Sequence, residues 1–194
     1  MLAKFVILAA GALLAAAPMG NAQFLKNGDF EKGHSYWEGG GKVVFLNDAG
    51  EVVPSAKEGK PALEVKLSRT QLTEIRQRFL FAHGERHLNV SALVKTSGDF
   101  QRNNDAGRWT KDITWTSGWY SWSALVYPRV DFCVRVDTSG NHFYLPRNLK
   151  AGGTWQTFKG SFKDMPSPGG KVLTLVFPAG TGTLWVKSIT SEAK

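Results

Sequence analysis

The sequence predicts an all-β protein: an antiparallel β-sandwich of the jelly-roll kind, formed as a single domain after a signal peptide. Three observations predict it. Apolar and polar residues alternate in several short runs. Glycine-rich turns separate those runs at a spacing of roughly ten residues, and no long amphipathic helix interrupts them.

The chain opens on "MLAKFVILAAGALLAAAPMGNAQ", with Lys4 near its start, an apolar run from Phe5 to Ala17, then Pro18 and small residues. That is the pattern of a secretory signal peptide, with cleavage expected after Ala22. The apolar run is shorter than the roughly 20 residues that span a bilayer, so a retained anchor is the lesser reading. No second long apolar run follows. The expected domains are a signal peptide over 1–22 and one sandwich over 23–194, secreted or periplasmic and without a membrane span. About 170 residues are enough for one domain with its own core.

The strands follow in order. "PALEVKL" puts Leu63, Val65 and Leu67 on one face, against Glu64 and Lys66. "EIRQRFLF" sets Ile75, Phe79 and Phe81 inward and Arg76 and Arg78 outward. "HLNVSALVK" alternates Leu88, Val90, Ala92 and Val94 against Asn89 and Ser91. "RVDFCVRVD" sets Val130, Phe132, Val134 and Val136 inward. "TWQTFKGSFK", "KVLTLVFP" and "TLWVKSIT" complete the set. "KEGKP", "AHGER", "TSGDF", "DTSGN", "KAGGT", "SPGGK" and "PAGTGT" punctuate them as turns. The least regular stretch, "DFQRNNDAGRWTKDITW" from Asp99, is longer than a hairpin needs, and long loops on a rigid sandwich carry function.

Composition narrows the chemistry. The formal net charge is +8, but the basic residues are dispersed rather than run together. With export expected, nucleic acid is excluded as the partner, and an anionic polysaccharide or cell surface stays open. Cys133 is the only cysteine, so no internal disulfide forms and the core alone holds the fold; Cys133 itself reads as a buried packing thiol. The histidines His34, His83, His87 and His142 lack metal-site spacing, since His83 and His87 flank a glycine-containing turn rather than a helix.

Taken together, the runs resemble carbohydrate-binding modules of the galactose-binding-like jelly-roll type, close in pattern to families 4 and 9. "LKNGDFEKGHSYW" resembles the opening of those modules, and "GKPALEVKL" and "EIRQRFLFAHGERHLNVSALVKTS" resemble their early strands. "TWQTFKGSF" and "GTLWVKSIT" resemble the later paired strand and the closing strand. The resemblance spans the mature chain. It implies Gly28 as a tight turn and Phe30 and Trp37 as core plugs. It also implies a structural calcium held by Glu31 and an aspartate of the closing strand. Here Lys187 stands where that aspartate belongs, and lysine repels a hard cation. No cofactor is therefore expected, with calcium as the lesser alternative, and Lys187 is expected to pair with Glu31 in the ion's place.

Of the seven tryptophans, Trp109, Trp115, Trp119 and Trp122 crowd one stretch. Sugar rings stack their C–H faces on aromatic rings, and polar side chains take their hydroxyls. The expected ligand-binding set is Trp109, Trp115, Trp119, Tyr120, Arg76, Gln77, Arg78, Gln101, Asn103 and Asp112, with Trp122 in the core. Trp37, Trp155 and Trp185 are assigned to structure. The expected function is non-catalytic binding of a polysaccharide or oligosaccharide, neutral or anionic. One alternative is an envelope jelly roll that binds protein and no sugar. A lesser one is a glycoside hydrolase or polysaccharide lyase. A hydrolase needs two convergent carboxylates, which no motif singles out, and Gln71 in "SRTQLTEIRQR" replaces the glutamate of the alginate-lyase pattern it faintly resembles.

Overall fold

The computed structural model describes residues 24–82, 84–104, 130–139, 141–166 and 168–193. Among them are the strands β1 (Glu38–Gly39), β2 (Lys42–Leu46), β3 (Val52–Val53), β4 (Lys60–Lys66), β5 (Thr73–Phe81), β6 (Leu88–Thr96) and β7 (Gln101–Arg102). They continue as β8 (Phe132–Asp137), β9 (His142–Arg147), β10 (Gln156–Phe162), β11 (Gly169–Phe177), β12 (Gly180–Thr181) and β13 (Thr183–Ala193). Every pairing is antiparallel. One sheet has five strands in the order β1-β5-β11-β8-β9, and the other has six in the order β10-β6-β13-β4-β2-β3. A small third sheet pairs β12 with β7. The all-β sandwich expected from the alternation is the fold observed. No helix among the described residues is long and apolar enough to cross a membrane.

The two large sheets face each other across one core. Ile75, Phe79 and Phe81 of β5, Phe132, Val134 and Val136 of β8 and Leu173, Leu175 and Phe177 of β11 supply one side. Leu63 and Val65 of β4, Leu88, Val90, Ala92 and Val94 of β6, Phe158 and Phe162 of β10 and Leu184, Val186 and Ile189 of β13 supply the other. Phe132 meets Phe158 of the opposite sheet edge-on, with centroids 5.6 Å apart, a geometry that suits the ring quadrupoles.

The closing strand carries a break in its alternation. Val186 and Ile189 both face inward although three residues separate them. The register against β6 shifts between Val186 and Ser188, so Lys187 is the extra residue of a β-bulge. The segment before β1 plugs one end of the core with Leu25, Phe30 and Trp37. Gln77 holds it to the five-stranded sheet: its Oε1 accepts from the Lys26 N–H at 2.6 Å, and its Nε2 donates to the Lys26 carbonyl at 2.8 Å. Gly28 is required by close approach, because a Cβ there would stand 1.9 Å from the Ile189 carbonyl oxygen.

Besides the two-residue strands, two longer ones, β2 and β9, were not expected from the sequence. β2 lacks clean alternation because it packs on both faces: Val43 packs against the central core, while Val44 and Leu46, with Ala62, form a small cluster on the outer side of the six-stranded sheet. β9 is an edge strand, which is where Pro146 is tolerated.

Candidate functional site

Alternation sends a second set of side chains to the outer face of the five-stranded sheet, and the strand register lines them up. One row holds Glu38, Arg76, Thr174, Arg135 and Tyr144, from β1 across to β9. The next holds Arg78, Val172, Asp137 and His142. On the other side of the first row lie Glu74, Val176, Cys133 and Pro146.

Charge alternates across this face. Glu74 accepts from Arg76 Nε at 3.1 Å and from Arg135 Nη1 at 2.9 Å. Arg135 also reaches Asp137, with Nε 2.8 Å from Oδ1, and His142 Nδ1 lies 2.7 Å from the same oxygen. A carboxylate only accepts, so the imidazole donates there from Nδ1. Arg135 is 6% exposed, and a guanidinium so buried needs both of its carboxylates. Burial pushes the Tyr144 phenol above its ordinary range, against the pull of Arg135, so its hydroxyl remains protonated at neutral pH. Cys133 is 2% exposed, and burial pushes its thiol up to about 12, which makes it the inert packing cysteine expected. Arg78 stands exposed on the same face, next to the exposed Leu80.

The expected site residues fall into three groups. Arg76 and Arg78 are on this face, as the alternation predicts. Gln77 is not. It points between the sheets, is 3% exposed and spends its amide on the Lys26 backbone, so its place in the ligand-binding set is corrected to a structural one. Gln101 and Asn103 lie apart, on and beside the two-stranded sheet: Gln101 is exposed, while Asn103 donates its side-chain amide to the Arg69 carbonyl and its N–H to Ala179. Trp109, Asp112, Trp115, Trp119, Tyr120 and Trp122 lie outside the described residues. The described chain stops at Asn104 and resumes at Val130, and the Arg102–Asp131 ion pair at 3.0 Å joins the two flanks. Glu74, Arg135, Asp137, His142 and Tyr144 were not picked out from the sequence. The alternation of "RVDFCVRVD" already placed Arg135 and Asp137 outward; their partner Glu74 lies on β5, and His142 lies on β9, which the sequence did not announce.

Trp37 is buried in the core as expected. Trp155 and Trp185 pack only partly buried against the small outer cluster of Val44, Leu46 and Ala62.

The residues of the implied calcium position do not fit that ion. Lys187 extends over the Trp155 ring, its ammonium 5.7 Å from the centroid, and no ion pair joins it to Glu31 among the described residues. The expected Glu31–Lys187 pairing is therefore corrected: the bulge at Lys187 carries its side chain along the outer face of the six-stranded sheet. Asn27 organises the opening loop instead. Its Nδ2 donates to the Gly33 and Ser35 carbonyls at 2.8 and 3.1 Å, and its Oδ1 accepts from the Lys32 N–H at 2.8 Å.

The face offers guanidinium and imidazole donors to solvent at Arg76, Arg78 and His142. Its carboxylates Glu74 and Asp137 are each paired with arginine.

No protein-family model matches the chain, and no curated protein matches it. Solved structures do. TmCBM61, a carbohydrate-binding module in complex with β-1,4-galactotriose, is 13% identical with a TM-score of 0.51, over 89% of this chain and 99% of that one. A family 16 carbohydrate-binding module is 12% identical with a TM-score of 0.50, over 87% and 98%. The enzymatically active domain of bacteriophage CBA120 tailspike protein 4 is 11% identical with a TM-score of 0.54; the match covers 89% of this chain but only 21% of the tailspike. The chain thus has the jelly-roll fold of carbohydrate-binding modules, matched over 87–89% of its length.

Proposed function

We propose that this protein is an exported, non-catalytic carbohydrate-binding protein whose ligand lies on the outer face of the five-stranded sheet. One observation carries the reading. On a sandwich of this fold, a single sheet face presents Arg76, Arg78, Arg135, His142 and Tyr144 in adjacent rows. Of these, Arg76, Arg78 and His142 stand exposed, and guanidinium and imidazole donors meet sugar hydroxyls or a uronate carboxylate directly. The aromatic stretch that holds Trp109, Trp115, Trp119 and Tyr120, with Asp112, departs after Asn104 and rejoins at Val130. We assign those rings to stacking against the sugar on compositional grounds. In this reading the signal peptide over 1–22 is removed, and the mature chain begins at Gln23 in a secreted or periplasmic location.

Intrinsic tryptophan emission tests the reading. Titration with soluble oligosaccharides, neutral and uronate-containing, should shift the emission to the blue in a saturable way with at least one of them. Emission indifferent to every sugar would favour an envelope scaffold that binds protein instead. Incubation with the bound polysaccharide should release no new reducing ends and no unsaturated uronate absorbance.

A further inference from the structure

The outer face of the six-stranded sheet carries a second polar surface, built in the same register-driven way. β6 lies between β10 and β13, and its outward residues pair across both. Asn89 lies between Ser161 and Glu192, and Ser91 between Lys159 and Thr190. Short side chains on the central strand, with Lys159 and Glu192 standing on the flanking ones, leave a groove of about 470 Å³ lined by these six residues together with Val90 and Gly160. That lies within the range of about 300–1,000 Å³ typical of small-molecule sites.

Asn89, Ser91 and Ser161 are half-buried, and their side chains, with those of Thr190 and Lys159, make no hydrogen bond to protein among the described residues. Hydroxyl and amide groups that each both donate and accept match a polyhydroxylated ligand. Lys159 and Glu192 cancel in charge, so nothing in the groove selects an anion.

The same face ends in aromatic rings. Continuing the register of β10 and β13 along β6 brings Trp155 and Trp185 to either side of Lys95. The Lys95 ammonium lies 5.6 Å from the Trp185 centroid and 6.0 Å from that of Trp155, and it donates to the Gly50 carbonyl at 2.9 Å. Trp185 Nε1 donates to Glu64 at 3.2 Å. These contacts fix both indoles while leaving them partly exposed. Lys95 is four residues beyond Ser91, about 13 Å along the strand.

We propose that this face is a second glycan-binding site, taking a neutral oligosaccharide that lies along β6, hydrogen-bonded at Asn89, Ser91 and Thr190 and in apolar contact with Trp155 and Trp185. The site is separate from the one proposed on the five-stranded sheet, and the two stand or fall independently.

Two-dimensional ¹H–¹⁵N NMR with cellohexaose and with β-1,4-galactohexaose tests it. A saturable shift of the Ser91, Lys159 and Thr190 amides is expected with at least one sugar. Ser91→Arg fills the groove from an outward position and should weaken that binding at least tenfold, while Arg78→Ala leaves it unchanged. Thr190→Arg provides the same test should Ser91→Arg misfold. Absence of groove shifts with both sugars, or shifts that persist in the arginine variants, would overturn the proposal. Shifts confined to β5, β8 and β9 would overturn it while leaving the five-stranded face intact as a binding site. Groove shifts alone, with that face silent, would do the reverse.

Discussion

Gln77 is where a ligand role and a structural role predict opposite phenotypes. Its side chain is 3% exposed and makes two hydrogen bonds to the Lys26 backbone, at 2.6 and 2.8 Å. Gln77→Ala removes both partners and leaves the Lys26 N–H and C=O in place. A buried group orphaned in this way costs about 1–3 kcal/mol. Lys26 is itself exposed, so water can recover part of that, and a loss of about 2–3 kcal/mol is expected for the pair. For a domain of this size one kcal/mol moves Tm by about 2–4 °C, which gives a fall of about 5–10 °C. Scanning calorimetry and urea melts measure it directly. The urea midpoint should drop with an unchanged m value. Gln77→Glu should not rescue, because a carboxylate accepts from the Lys26 N–H but cannot donate to its carbonyl. Glycan affinity should stay within about twofold of wild type. A Gln77→Ala protein with unchanged Tm and tenfold weaker glycan binding would refute the structural assignment and return Gln77 to the ligand site.

Gly28→Ala should be among the most damaging single changes, because both atoms its Cβ would meet at 1.9 and 3.1 Å belong to the Ile189 backbone and cannot swing away. A loss of about 3 kcal/mol or more is expected, read as a lowered urea midpoint or failure to accumulate as soluble protein. Cys133 predicts an alkaline limb. Its thiol stays protonated in the fold up to about 12, whereas in the unfolded chain it ionises from about 8.5. Over that window the folded state binds more protons, so stability falls as pH rises, by about 1.4 kcal/mol per pH unit. Cys133→Ala should flatten that slope relative to wild type, and an unchanged slope would show that the thiol is not the group responsible. At pH 8 the native thiol should resist aromatic disulfide reagents until denaturant is added.

Much of the fold was legible from local pattern. Strands with one face on the core announce themselves by period-two alternation, as β5, β6 and β8 do. The same alternation located Arg76 and Arg78. It failed where physics other than simple alternation decides. β2 packs apolar residues on both faces, so its sequence reads as a continuous run. β9 is an edge strand with Pro146 inside it, and proline argues against a strand by local rules. Missing β9 hid His142 and Tyr144, while the Arg135–Glu74 pair went unseen because only the sheet register brings β5 and β8 together across β11. Gln77 broke the rule differently: its polar side chain faces inward because the opening segment offers it a backbone N–H and C=O at the right separation. No local signal in "EIRQRF" carries that contact, which joins residues 51 positions apart. Lys187 misled for a similar reason, because a one-residue bulge moves it off the line that a regular strand would draw.

Affinity electrophoresis of the mature protein through gels cast with soluble polysaccharides, neutral and acidic, tests the carbohydrate-binding reading most directly. Wild-type protein should be retarded by at least one glycan, and an Arg76→Ala, Arg78→Ala double variant should be retarded less while keeping its Tm within a few degrees. Unretarded migration through every glycan, by a folded wild-type protein, would contradict it.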